Sequence, residues 1–502
     1  MSTRVDPSRR EGPLWGDLHN HNGIGYGKGS LERSYEIAHG CGLDVYAFTP
    51  HGHWHDLPQE DPKIAQGHLA GFELVRQKWD AVRQKANAEN RDGAFTTFVA
   101  VEWHSSAYGD YHILFPGDEG EVCRAGSLAE AQEFARRYGA IMVPHHIAYR
   151  QGWRGINWET YRADVSPVVD VFSEHGNGME PETHWPYVLH SMGGTEKSQT
   201  AIEQLKRGRI FGIVASTDNH GGHPATYGEG LAGIWAEKRT RAGVFAAIRQ
   251  RHTYAATGDR IGLRFRLADA MMGDVVSPNT PRRLRWDVDA LGAIDYVQVL
   301  KNGEPAHHFV PAAATPTDSR YLVRVEFGWD AMSSQEVTDW KIRITLDGGE
   351  LLEVVPCFAG GRGSYEKINR IVSISPRECV LEAYTARANS RPTSGAVLRL
   401  SGTTATKIAV DASTQYKANA GGCRLAGTIG ELLQRTQWGE IARFFSAPKM
   451  FLGLAHGESE TNVSDEWTDP APGGDDWYLV KAQQKNGHIA WSSPIWCTER
   501  RP

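Results

Sequence analysis

The chain has 502 residues, 40% of them hydrophobic and 23% charged, with a formal net charge of −6. That length exceeds a single hydrophobic core, so two or three domains are expected. The acidic balance, with no block of basic residues, speaks against a nucleic-acid or anionic-membrane partner. No apolar run approaches the ~18 residues that span a bilayer. The polar start MSTRVDPSRREGPLWGDLH lacks the apolar stretch of a signal peptide, so a cytoplasmic location is expected. The cysteines, Cys41, Cys123, Cys357, Cys379, Cys423 and Cys497, form no C-x-x-C pair and read as reduced, mostly buried thiols.

Up to residue 255, short apolar runs alternate with helical patterns. The runs are LWGDLHNH, GLDVYAFTPH, TTFVAVEWH, GAIMVPHH, VVDVFSEHG, IFGIVASTDNH and LAGIWAE. They are continuous rather than alternating, which suits strands buried on both faces. Between them, SLAEAQEFARRYG places Ser127 and Glu130 as a capping box, sets Leu128, Ala131, Phe134, Ala135 and Tyr138 on one face, and ends at Gly139. GSLERSYEIAHGCG, EKSQTAIEQLKRGR and TRAGVFAAIRQRH read likewise. About seven β/α units imply an α/β barrel or barrel-like sheet, with its chemistry at the carboxyl ends of the strands.

Past His252 the text alternates apolar and polar residues, as in RRLRWDVDAL, DYVQVLKNGE and DWKIRITLDGGELLEVV, with turns at KNGE and LDGGE. An antiparallel β-sandwich is expected over 256–502, with an inserted β-rich subdomain at about 376–455.

The strand ends carry the chemistry. Sixteen of the 21 histidines lie before residue 225. His19 and His21 are two apart on a strand and point to one face, and Asp218 and His220 repeat that spacing. His51, Glu102, His112, His145, His146, Glu174 and His175 close or follow further strands. Imidazole and carboxylate ligands suit zinc, manganese or iron. His39 and His68, on helical stretches, read as surface or core residues, and His55, His184, His190 and His223 as solvated loop residues. Neighbouring strand side chains face opposite ways, so one of His145 and His146 should enter the site, with His145 favoured. The same reasoning separates Glu174 from His175.

This set of motifs resembles the PHP (polymerase and histidinol phosphatase) superfamily. The following β-rich region, with VQVLKNGE and AWSSPIW, narrows the resemblance to the branch named for carbaryl hydrolase. The resemblance implies a distorted (β/α)7 barrel over residues 1–255 holding two or three divalent ions (Zn, Mn or Fe). Carried over by position, His19, His21, Glu102 and Asp218 would ligate one ion. Glu102 would bridge to a second ion shared with His112 and His145, and His51 and His220 would hold a third. The chain departs from the family where NGIGYGKGS lacks the acidic residue expected after HxH, and where Thr49-Pro50-His51 replaces T-D-H. A dinuclear centre is then open, or a third site completed by His53 or Glu174.

The function so implied is metal-dependent hydrolysis of a phosphoester or of a carboxylic or carbamate ester. A hydroxide bridging two ions about 3.5 Å apart would be the nucleophile. His53, His104, His146 and His175 are the candidates for protonating the leaving group. Tyr26, Lys28, Arg150 and Arg154 are candidate substrate contacts, since arginine suits bidentate recognition of phosphate or carboxylate. Trp153, Trp158, Trp185 and Tyr187 either line an apolar pocket or pack in the core. An amidohydrolase cleaving C–N bonds would want a lysine where Glu102 stands. A non-catalytic metal- or carbohydrate-binding protein would need a saturated centre. The expected partner is a small-molecule ester, with neither nucleic acid nor membrane, and homo-oligomer formation is left open.

Overall fold

The computed structural model of the chain is a mixed α/β structure in which strands predominate. It describes residues 12–181, 185–187, 192, 194–311, 318–329, 337–360, 366–386, 393–416, 419–441 and 448–500. His184 and His190 lie outside the described residues. In chain order the first part carries β1 (Leu14–Asp17), α1 (Leu31–Gly40), β2 (Val45–Tyr46), β3 (His51–Trp54), α2 (Pro62–Glu89), β4 (Thr96–Thr97), β5 (Ala100–His104) and β6 (Asp110–Leu114). It continues with α3 (Leu128–Tyr138), β7 (Ile141–His145), β8 (Val168–Asp170), β9 (Phe172–Ser173), β10 (Gly176–Asn177), α4 (Ala201–Lys206), β11 (Gly212–Val214), β12 (Leu231–Ile234), α5 (Arg241–Arg249) and β13 (Thr253–Ala256).

The helices begin where side chains can satisfy their first free N–H groups. Ser30, Ser127 and Thr240 accept from the main-chain nitrogens of Arg33, Glu130 and Gly243. At α3 only half of the expected capping box forms, because the Glu130 carboxylate turns to the nitrogen of Gly126 at 2.9 Å. Gly139 ends α3 at φ 61, the left-handed stop that glycine takes without strain. The helix expected over EKSQTAIEQLKRGR breaks at the extended Thr200 into a 3₁₀ turn (Lys197–Gln199) and the short α4.

The hydrogen-bonded ladders do not close into a barrel. β1, β2 and β4 pair in parallel, as do β8 and β11. β5, β6 and β7 pair antiparallel. The five residues 105–109 between β5 and β6 allow a hairpin, whereas a parallel return needs a crossover of a dozen or more residues. β13 pairs with Ile489–Ser492, placing Tyr254 opposite Ser492, so one sheet runs across residue 255 into the C-terminal strands.

The alternation past residue 256 appears as alternating burial, clearest in Arg283–Asp289 and Val337–Asp347. Two five-stranded antiparallel sheets, both built between Arg320 and Gly457, share one core that includes Val323, Leu398, Ile342, Leu381 and Val410. Burying each such side chain is worth roughly 1.5–3 kcal/mol. This insertion sits between the strands Glu304–Phe309 and Asn462–Thr468.

The insertion also reaches the strand ends of the first part. Arg33 of α1 donates to the carbonyls of Lys367, Gly221 and Gly222 at 2.8, 3.0 and 3.0 Å and to the Tyr384 hydroxyl at 2.9 Å. Asn369 Nδ2 lies 3.0 Å from His223 Nε2. Gly222, at φ +65, passes so close that a β-carbon there would meet the Lys28 carbonyl at 2.3 Å. These contacts fix the loop after β11, which carries Asp218 and His220.

Candidate metal centre

The centre is assembled from strand ends. His19 and His21 follow β1, and their order rests on Asp17. That fully buried carboxylate accepts from Thr217 Oγ1 at 2.7 Å and from the nitrogens of Thr217 and Ala225 at 3.1 and 3.0 Å. It thereby ties β1 to the Asp218 loop. Thr49 Oγ1 lies 2.9 Å from His19 Nδ1, leaving Nε2 for the centre. Asp218 sits at φ 54, a left-handed conformation that a short polar residue tolerates and that turns its carboxylate inward.

Two carboxylates gather the imidazoles. Asp218 Oδ1 is 2.9 Å from His21 Nε2 and 3.2 Å from His19 Nε2. Its Oδ2 is 3.2 Å from His146 Nε2 and 3.4 Å from His175 Nε2. Glu102 Oε1 is 3.0 Å from both His104 Nε2 and His145 Nε2, while Oε2 is 3.5 Å from His21 and 3.7 Å from His51. His51 Nε2 and His220 Nε2 face each other at 3.2 Å, and Glu174 Oε1 is 3.2 Å from His220 Nδ1. His112 lies behind this layer, its ring 4.7 Å from that of His19 and 5.6 Å from that of His145.

Burial sets the protonation. It drives His21, His51, His104, His112, His145 and His146 well below the usual imidazole range, with neighbouring imidazoles or Arg154 adding to the effect. Burial, reinforced by Asp110 and Asp218, raises Glu102. Burial opposes ionisation of Asp218 too, but His19 and His21 hold it well below the carboxylate range. Neutral imidazoles beside the Asp218 carboxylate are the ligand form of both groups.

The donor set fits divalent ions. His104 Nδ1 and both ring nitrogens of His112 are buried without a hydrogen-bond partner, and the close approaches at His104 Nε2, His19 Nε2, Glu102 Oε2 and Asp218 Oδ2 lack hydrogen-bond geometry. Two imidazole nitrogens at 3.2 Å, as in His51 and His220, repel unless a proton or cation lies between them. Ligand atoms within 4.8 Å of one another include the sets His19–His112–His145, His19–His21–Asp218, His21–His51–His220, His51–Glu102–His104 and Asp110–His145–His146.

Several expectations need correction. His145 and His146 both enter the centre, because His146 takes φ 53 and breaks the strand alternation. Glu174 and His175 likewise both reach it. His53 does not. A bulge pairs His51 with Glu102 but His53 with Trp103, which turns the half-buried His53 ring toward Arg76 and Arg124. Arg150 points to solvent, 64% exposed and 3.8 Å from Glu196. His223 is fully buried rather than solvated, held by Thr226 Oγ1 at 3.0 Å and by Asn369. His104, read above only as a proton donor, stands among the ligand candidates. Asp110 joins them beside His145 and His146, and Asp110-x-His112 repeats the Asp218-x-His220 spacing.

The centre forms the floor of a cleft of about 1310 Å³. Tyr26 and Lys28 line it, the Tyr26 ring stacked on His51 at 3.5 Å. Trp54, Leu57, Ile64, Trp153 and Met192 supply an apolar wall. Trp158 is buried in the core away from the cleft, and Tyr187 packs against Tyr149. Arg154 also lines the cleft, 4.7 Å over the Trp54 ring, and its Nε donates to Asp110 at 2.7 Å. Asp110 is fully buried. Arg154→Met therefore strands a buried carboxylate, and a loss of about 3 kcal/mol is expected in urea unfolding. That is the low end for such pairs, because the arginine keeps 18% exposure. Adding Asp110→Asn should restore most of the loss. Additive losses in the double variant would contradict the pairing.

Comparison with known proteins finds relatives described as uncharacterized. A family model described as "Protein of unknown function (DUF3604)" matches residues 223–283, beginning just past His220. An uncharacterized protein of Chlamydia pneumoniae is 25% identical over 255 residues, covering 46% of this chain and 41% of its own length. Uncharacterized proteins of Chlamydia muridarum and Chlamydia trachomatis serovar D are each 22% identical over 323 residues, 59% of this chain and 49% of theirs. The chain thus spans less than half the length of these curated relatives.

Proposed function

We propose that this chain is a metal-dependent hydrolase that cleaves a phosphoester, or a carboxylic or carbamate ester, of a small molecule. In this reading residues 1–255 are an opened PHP-type barrel, and the paired sheets of the C-terminal region are a β-sandwich. The observation that carries it is the buried cluster of imidazoles around Glu102 and Asp218 at the floor of a cleft wide enough for a substrate. Access from the cleft favours catalysis over a saturated binding site. The free state of all six cysteines supports a reducing, cytoplasmic setting. No helix among the described residues is long and apolar enough to cross a membrane.

His19, His21, His145, Glu102 and Asp218, with His51, His104, His112, His146 and His220 around them, would hold two or three zinc, manganese or iron ions. Bound, such ions supply Lewis acidity and lower the pKa of water. The protein's own groups do the rest. Asp218 and Glu102 hold the imidazoles in place. His175 lines the cleft, its Nδ1 2.9 Å from the Tyr149 hydroxyl and its Nε2 toward Asp218, and is the residue best placed to deliver a proton to a leaving group. Lys28 and Arg154 would attract an anionic part of the substrate, and Trp54, Ile64 and Trp153 an apolar part.

Metal content by plasma mass spectrometry, paired with hydrolysis of p-nitrophenyl phosphate, phosphodiester, carboxylic-ester and aryl carbamate panels, tests this reading. Two or more ions per chain and turnover lost on chelation are expected, and the preferred ester selects the substrate class. Glu102→Gln should lower turnover by about 100-fold or more. A fully metallated Glu102→Gln protein with undiminished hydrolysis, or a wild-type chain that takes up no transition metal on reconstitution, would sink the proposal.

A further inference from the structure

Away from the histidine cleft, a second cavity of about 600 Å³ opens at the seam between the first part of the chain and the C-terminal strands. Arg239, Arg260, Arg264 and Arg399 line it together with Trp15 and Trp235. Its carboxylates are engaged. Asp44 accepts from the Trp15 nitrogen at 3.0 Å and pairs with Arg239 at 3.2 Å. Arg399 meets Asp289 at 2.9 Å and Glu353 at 3.4 Å. Asp287, opposite Arg264 across the strand pair, accepts from Ser464 Oγ at 2.5 Å.

Arg91, also in the lining, meets Glu89 at 3.6 Å, which leaves Arg260 and Arg264 to face the cavity. Arg260 donates from Nη1 to the Gly42 carbonyl at 3.2 Å and from Nη2 to the Cys41 carbonyl. The acidic groups that act on it through space, Asp44 and Glu353, are the ones already paired with Arg239 and Arg399. Burial pushes the Arg260 guanidinium below its ordinary range, so a bound anion would offset a cost that main-chain carbonyls meet only in part. Arg264 stands on the exposed face of its strand, 4.8 Å over the Trp235 ring. Trp235 itself is fixed by its Nε1 donating to the Leu263 carbonyl at 2.9 Å.

We propose that this seam binds a planar aromatic anion, its negative group on Arg260 and Arg264 and its ring against Trp235 and Trp15. The planar fork of arginine matches carboxylate and phosphate, and an indole face accepts a flat ring. The volume suits a small ligand. Because the lining comes from both sides of the seam, the ligand binds the folded chain and raises its unfolding temperature. An aryl carboxylate and a nucleoside monophosphate share this chemistry.

Titration calorimetry and thermal unfolding of the full chain with benzoate, AMP and inorganic phosphate, each alone, decide the matter. One molecule of benzoate or AMP per chain, with quenching of tryptophan fluorescence, is expected, and the tighter of the two names the ligand source. Arg264→Gln, a change on an exposed strand face, should weaken that binding about tenfold or more, as loss of a charge-assisted hydrogen bond does. Trp235→Phe should weaken it less. Saturable binding of neither aromatic probe overturns the proposal. So does inorganic phosphate binding as tightly as AMP, or affinity unchanged in Arg264→Gln, which would place the ligand elsewhere.

Discussion

Asp218→Asn is expected to empty the centre, lowering affinity for zinc or manganese by more than about 100-fold, the upper end of what losing an outer partner of a ligand costs. The reason is geometric. One carboxylate lies within 3.4 Å of His19, His21, His146 and His175, so its charge organises four rings from three segments of the chain. The amide keeps the shape but offers a weaker neutral oxygen and a donor that faces imidazole nitrogens. Asp17→Asn supplies the graded comparison. Asp17 touches no ring, yet it ties β1 to the Asp218 loop through Thr217 and Ala225. Its loss should weaken affinity by about 10–100-fold. Equilibrium dialysis of the three proteins checks both expectations. Wild-type affinity in Asp218→Asn would remove that carboxylate from the site.

The chelated protein is expected to lose stability steeply as pH falls below about 6.5. In the folded chain burial holds His21, His51, His104, His112, His145 and His146 well below 6.5, and His223 down to about 3. Between those values and 6.5 the unfolded chain binds more protons, so stability falls as pH falls, by up to about 1.4 kcal/mol per pH unit for each histidine. Buried carboxylates oppose this. Burial pushes Asp17 up to about 6 and raises Glu102, Asp110 and Asp170. Those groups bind protons preferentially in the folded state, which favours folding as the solution acidifies. The histidines outnumber them, so the net slope keeps its sign. Urea midpoints at pH about 7.5 and about 5.5, with and without zinc, are the measurement. Metal should hold the rings deprotonated and move the acid limb to lower pH. Equal midpoints at the two pH values in chelator would show that the rings are not buried neutral.

The candidate ligands were legible because their spacing is local. His19-x-His21 and Asp218-x-His220 need only the two-residue period of an extended chain to share a face. The same period misled at His145–His146 and at His51–His53. A left-handed residue in one case and a bulge in the other reset the direction of the next side chain. Asp110 was readable by the rule already applied to Asp218. The helix cap at Ser127 was local too, and formed where the pattern placed it.

What the sequence determined by itself is therefore the residue types and the local elements: which side chains crowd the strand ends, where the helix after Ser127 starts, and where buried strands give way to alternating ones. Only the tertiary structure decided how strands pair. It set β5, β6 and β7 antiparallel, left the ladders open, and carried one sheet across residue 255 to Ser492. It also brought Arg33 and Asn369 to the loop of Asp218 and His220. Pairing and docking join residues hundreds of positions apart, and their free energy comes from burial shared between segments. No window of the chain contains that term.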